Sequence, residues 1–442
     1  MNAAQATAPG TVLLPQRRPW GRREPVAGSG RDQYIDTLRA LALVRVVTYH
    51  TFGWAWLPVA FPSMGIMFAL GGSLVAASLA RAPGRPGRVL RKRVRRLLPP
   101  LWLYGTVVVV LMAGHGWTFT EDVGARLDLR GAFAWLIPLE QPPGSAWGDD
   151  FVVPLWYIRT YLWLLLLSPA LYWLFRRHPR ATLLAPGVLL ALLTAGLLEA
   201  STATGDTLVH MGVFGACWIL GFAHHDGAIG RLPRRRTLLA GAALMALGVA
   251  WALTHQQPDS GWNIDDIDVA DALYCAGAVT LLLRLYPRPG LLARVPRLAR
   301  LVAAMNARAM TIYLWGNLAI WAATPVLESN PWTVRLEGPG WTGQIAQYVT
   351  AWLVLAAAVL AFGWAEDLAA GRPPRLNPWP REALPRPPAP PAASAPTAPA
   401  ALRAATRSPR GPRWSSRLAT PANGLLAAAL VVSLGLAWRW TS

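Results

Sequence analysis

Apolar runs of about 17 to 24 residues recur along the chain between clusters of Pro, Gly and Arg, and each is long enough to cross a bilayer as a helix. They lie near 35–57, 60–80, 97–114, 152–175, 181–199, 208–223, 237–254, 269–286, 308–327, 344–364 and 424–440. The chain therefore reads as an all-α polytopic membrane protein. The composition agrees, with 54% hydrophobic and 14% charged residues. The first ten spans form one membrane-embedded body over residues 35–370. A Pro/Ala/Arg-rich stretch, 371–423, cannot bury a core and reads as a disordered linker. Residues 424–442 read as an appended C-terminal transmembrane helix, so the bundle has about ten helices plus one.

Charge placement sets the expected orientation. Most of the 42 Lys and Arg fall in 1–34, 80–96, 176–180, 223–237, 284–308 and 365–423, which are alternate loops in the eleven-span scheme. The intervening loops instead carry acids, such as Asp149, Asp150, Asp259, Asp265 and Asp266. Basic loops stay in the cytoplasm, so the basic segment 1–34 is expected inside and the C-terminus outside, in the plasma membrane. Residues 1–34 are polar and the first apolar run carries arginines, so no cleavable signal peptide is expected. A net charge of +20 raises the question of nucleic acid, but the arginines are dealt to one membrane face with no aromatic-interleaved basic stripe. Anionic lipid headgroups or a phosphorylated co-substrate fit that charge better. Cys217 and Cys275 fall within spans, offer no metal-ligand spacing, and read as packing residues.

Within the first span, Arg39 and His50 are eleven residues apart, which at about 100° per residue returns to the same helix face. Ionisable side chains at such positions face protein or water and mark candidate functional sites. An imidazole is the best general base at neutral pH, and no second strong base competes within the spans. Arg39 is then an orienting or anion-binding partner, and Asp36 is placed to pair with it. A basic segment containing Arg88, Arg91, Lys92, Arg93, Arg95 and Arg96 runs into Leu97-Leu98-Pro99-Pro100. If it is helical, Arg93 and Arg96 share a face and can clamp one anionic group, although such clusters also serve simply to fix topology. Segment 115–151, with Trp117, Trp135 and Trp147, is the largest expected outer surface for an acceptor.

These residues resemble the integral-membrane acyltransferases of acyltransferase family 3, over about 31–370. Tyr34-Ile35-Asp36-Thr37-Leu38-Arg39-Ala40 followed by His50 looks like that family's first-helix signature. Met64 to Leu74 resembles its glycine-rich second helix, with Gly71 and Ser73 departing from the usual residues. Arg93-Val94-Arg95-Arg96 ahead of Leu98-Pro99-Pro100 is similar to its paired-arginine motif, and Pro154-Leu155-Trp156-Tyr157-Ile158-Arg159 to the start of its fourth helix. Gly316 stands where members commonly carry histidine.

The resemblance implies transfer of an acyl group, usually acetyl, from acyl-CoA to a hydroxyl on a carbohydrate, glycolipid or small molecule. His50 is then the general base or an acyl carrier, and Arg93 and Arg96 hold the CoA phosphates. Trp156, Tyr157 and Arg159 line an acceptor site or anchor the helix at the interface. Acyl-CoA enters as a co-substrate, with no permanently bound cofactor or metal expected. A proton-coupled transporter or flippase and a non-catalytic acyl-CoA or lipid binder are the competing classes.

Overall fold

The computed structural model describes residues 33–117, 129–285, 295–329 and 340–375. Residues 1–32 and 376–442, which hold most of the expected basic N-terminal segment, most of the linker and the whole eleventh span, lie outside the described residues. The described helices are α1 Gln33–Phe52, α2 Trp56–Ala60, α3 Ser63–Arg81, α4 Pro86–Gly114, α5 Leu129–Leu136, α6 Asp149–Val152, α7 Leu155–Arg177 and α8 Pro179–Thr194. They continue with α9 Ala203–His225, α10 Ala228–Arg231, α11 Arg234–Thr254, α12 Asp268–Arg284, α13 Pro296–Ala307, α14 Ala309–Glu328, α15 Trp341–Phe362 and α16 Trp364–Ala369. Seven of these, α3, α4, α7, α9, α11, α14 and α15, are long and apolar enough to span a membrane. Helix α1 carries three charges, Asp36, Arg39 and Arg45, while α8 and α12 have 16 and 17 residues. With those three, the helices coincide with the ten spans read from hydropathy.

Close helix packing rests on glycine. A Cβ on Gly72 of α3 would lie 2.1 Å from the Trp218 carbonyl oxygen of α9, and one on Gly221 of α9 would lie 2.1 Å from the Ala69 carbonyl oxygen of α3. Without a hydrophobic drive between helices in lipid, such close approach supplies the packing contacts. Cys217 and Cys275 are fully buried beside Gly65, where α3, α9 and α12 meet, and so are packing residues.

Two departures from the expected boundaries shape the interior. Helix α4 begins at Pro86 rather than near 97, with proline in its first turn where the missing N–H costs nothing, and runs 29 residues through Pro99 and Pro100. At 1.5 Å per residue that is about 43 Å, so its arginine-bearing first turns stand clear of a ~30 Å hydrocarbon core. The second departure is the segment 139–154, which folds back into the bundle. There Phe151 and Val152 are buried, Tyr104 Oη in mid-α4 donates to the Phe151 carbonyl at 2.8 Å, and Tyr313 Oη of α14 donates to the Pro154 carbonyl at 2.7 Å. Asn317 Nδ2 donates to the Asp150 carbonyl at 2.9 Å. Backbone between spanning helices is kept inside a bundle when protein groups satisfy its carbonyls in this way. Trp135 of α5 and Trp117 are turned inward and buried, and Trp147 stacks on His115 at 3.7 Å between ring centroids. Trp117 and Trp135 are therefore interior packing groups and not part of the exposed acceptor surface expected from sequence, while Trp147 is partly buried.

Candidate functional site

His50 sits on the last turn of α1, at the end opposite the arginine-rich face. It is an exposed side chain with Arg45 and Asp150 in electrostatic reach. Its ring meets the Tyr49 ring edge-on at 5.7 Å between centroids and takes no hydrogen bond from the described residues. The other histidines of the spanning helices are engaged: His210 with Asp206, His224 with Ser73, and His225 with Asp226. An accessible imidazole with free nitrogens is what a proton-accepting group needs.

A clamp from the α11–α12 loop holds the helix turn below it. Arg45, 6% exposed in mid-α1, pairs with Asp265 at 2.6 Å, and its guanidinium also lies over the Tyr49 ring at 4.7 Å from the centroid. Asn263 Nδ2 donates to Tyr49 Oη at 2.6 Å. Tyr49 is thus fixed at its hydroxyl and on its face, and its edge sets the position of the His50 ring. Burial pushes the Asp265 carboxyl up, more strongly than the Arg45 charge pulls it down. Sequence reasoning missed Arg45, Tyr49, Asn263 and Asp265. A second arginine inside the first span was the available signal, but its partner lies 220 residues away.

Arg39 is not a partner of His50. The two share a helix face, but eleven residues of helix set them about 16 Å apart along its axis. Arg39 instead donates to Asn306 Oδ1 at 3.3 Å, lies 3.8 Å from Asp36, and is in electrostatic reach of Tyr157.

The arginine-rich first turns of α4 form one wall of a cavity of about 600 Å³, lined by Lys92, Arg95, Arg96 and Arg372 together with Ala307 and the end of α16. An adjoining hollow is bounded by Arg88, Arg91, Lys92 and Arg95. Among the described residues, no acidic one lines either cavity. The opposite wall is pinned by buried groups: Glu366 accepts from the Thr311 N–H at 2.7 Å and hydroxyl at 2.6 Å, while Arg308 pairs with Asp367 at 2.7 Å. Burial pushes the Glu366 carboxyl up. Of the expected pair, Arg96 faces this cavity, whereas Arg93 turns to the end of α3 and donates to the Leu74 carbonyl at 2.5 Å and Ser78 Oγ at 2.9 Å. Lys92, Arg95 and Arg96 fall within about 100° of helix arc and Arg93 lies about 60° beyond its edge, which explains the split.

Trp156, Tyr157 and Arg159 pack chiefly against neighbouring helices. Arg159, 1% exposed, pairs with Asp206 of α9 at 2.5 Å and lies 3.5 Å from His210. Trp156 lies against the His210 and Phe214 rings, and Tyr157 is buried between Phe68 and Tyr313. No group of three or more metal-ligating side chains occurs among the described residues.

An accessible base in a spanning helix and a cationic cavity on the arginine-rich face suit group transfer from an anionic donor. Comparison with known proteins bears on the same segment: no curated protein and no solved structure matches the chain, but the acyltransferase domain of acyltransferase family 3 matches residues 32–365. That match spans most of the protein, including His50, the arginine-rich start of α4 and helices α1 to α15, and the chain belongs to acyltransferase family 3.

Proposed function

We propose that this membrane acyltransferase takes its acyl group from acyl-CoA and delivers it to a hydroxyl of a carbohydrate, glycolipid or small molecule at His50. The observation that carries the reading is the accessible imidazole without a hydrogen bond from the described residues. A thioester is already activated, so the protein's main task is to remove the acceptor's proton as its oxygen attacks. His50 takes that proton, the new C–O bond forms as the C–S bond breaks, and the proton leaves with the thiolate as CoA thiol. Acetyl is the simplest cargo that the resemblance implies.

The donor's phosphates belong at the cationic cavity, where Lys92, Arg95, Arg96 and Arg372 supply charge-assisted contacts with no competing acid among the described lining residues. With arginine-rich loops inside, that cavity opens to the cytoplasm, where acyl-CoA is made, and His50 lies toward the opposite leaflet. Arg39 stands between the two on the His50 face of α1 and serves as a guide for the anionic donor.

The test is thioester consumption by the full chain in lipid nanodiscs, wild type beside His50→Ala, with host glycans and lipids as acceptor. Turnover in the wild type and a loss of at least ~100-fold in the variant are expected. Near-normal turnover in His50→Ala removes His50 from the chemistry, and no thioester consumption by the wild type removes the donor.

A further inference from the structure

Cations three and four residues apart on a helix repel one another, so a run of them on one face costs stability unless an anion relieves it. Arg88, Arg91, Lys92 and Arg95 of α4 are such a run, and they fall within about 100° of helix arc. All four are exposed, and among the described residues none of them forms an ion pair. The buried arginines of the bundle are treated differently: Arg45, Arg159 and Arg308 each face an acid. Topology alone does not account for the arrangement, because the positive-inside rule counts cations and is indifferent to the helix face they take.

The same four side chains line the adjoining hollow, which has a volume of about 380 Å³. Lys92 and Arg95 also line the cavity of about 600 Å³, so the two open side by side along α4. Arg88 and Arg91 stand nearer the exposed start of the helix and Arg96 nearer the bilayer, the whole run from Arg88 to Arg96 covering about 12 Å of its axis. Acyl-CoA carries its groups in a matching order. The thioester and pantetheine arm lead to the diphosphate on the ribose 5′ carbon, and the 3′-phosphate follows on the same ribose. With the acyl end directed into the bundle and the diphosphate in the larger cavity, the 3′-phosphate falls at Arg88 and Arg91. Among the described residues no aromatic ring lines the hollow, so nothing there stacks on the adenine and the guanidinium forks read phosphate.

We infer that the hollow bounded by Arg88, Arg91, Lys92 and Arg95 is a second phosphate site, which binds the ribose 3′-phosphate of the donor and so selects CoA thioesters over those of 3′-dephospho-CoA. The inference rests on the acyl-CoA reading above and divides the donor's phosphates between two adjoining sites. A lipid headgroup offers the same phosphate chemistry. The donor is favoured as occupant because the hollow shares two of its four cations with the larger cavity.

The experiment measures Kd by calorimetry for acetyl-CoA and for acetyl-3′-dephospho-CoA, with the full chain in phosphatidylcholine nanodiscs and again with phosphatidylglycerol added. Wild type is compared with the double variant Arg88→Gln and Arg91→Gln, whose exposed positions and near-equal helix propensity keep the fold. Wild type is expected to bind acetyl-CoA about tenfold or more tightly than the dephospho thioester, the size of a lost charge-assisted contact. In the double variant that ratio is expected to fall to within about twofold, through weaker binding of acetyl-CoA. Equal affinities in the wild type overturn the second site, as does a ratio that survives in the variant. An equal loss for both thioesters in the variant also overturns it and makes the run a bulk charge. A ratio that phosphatidylglycerol abolishes gives the hollow to a lipid phosphate and overturns the donor assignment. If the wild type binds neither thioester, the acyl-CoA reading itself falls, and the second site with it.

Discussion

At the scale of single residues, the spanning helix α1 carries three charged side chains, and each is handled differently. Arg39 binds Asn306, Arg45 is sealed against Asp265, and Asp36 lies near Arg39. The Arg45 pair is instructive because burial costs both partners and their attraction only offsets that cost. Asp265→Asn leaves a guanidinium almost fully buried without its counter-charge and is expected to lower stability by about 3 kcal/mol. Replacing both partners together, as Arg45→Met with Asp265→Leu, is expected to recover most of that loss in thermal unfolding. Turnover in the double variant should stay at least ~10-fold below wild type, because Tyr49 has lost the cation over its ring and His50 has lost a fixed neighbour. Full turnover in the recovered double variant would make the clamp purely structural.

At the scale of elements, the arginine-bearing start of α4 divides its labour by helical phase. Lys92, Arg95 and Arg96 face the cavity, while Arg93 grips the end of α3. Changing Lys92, Arg95 and Arg96 to Gln is expected to raise the acyl-CoA KM about tenfold or more while kcat changes by less than about threefold, the pattern of lost ground-state binding. Arg93→Gln should instead lower the unfolding temperature and leave that KM alone. An equal KM effect from both would mean that the cluster acts only through its bulk charge. The spans and the basic segment were legible in the sequence because hydropathy and charge runs are local. Which arginine faces the cavity was not, since it depends on α13 and α16, elements more than 200 residues away. The inward fold of 139–154 escaped for the same reason: its backbone is satisfied by Tyr104, Tyr313 and Asn317 from distant helices. His50 was legible as an ionisable group in an apolar run, but the Arg45–Asp265 clamp on the turn before it is a product of packing.

At the scale of the whole molecule, function depends on which face is which. The cationic cavity sits at the arginine-rich ends of the helices and His50 at the opposite ends of the same bundle. On the proposed acyl-CoA reading, a cytoplasmic donor reaches the chemistry only if the arginine-rich face is inside, the orientation that the positive-inside rule predicts. The described helices offer a direct check. Asp259 in the α11–α12 loop and Arg235 at the start of α11 are both exposed and lie at opposite ends of one spanning helix. The native thiols at Cys217 and Cys275 are at most 1% exposed, so an introduced cysteine will dominate labelling. With a membrane-impermeant maleimide on intact cells, Asp259→Cys is expected to label at once and Arg235→Cys only after the membrane is opened. The reverse pattern would put the cationic cavity outside, away from cytoplasmic acyl-CoA. The cavity would then have to serve a different anion, and the donor would have to reach His50 from the other end of the bundle.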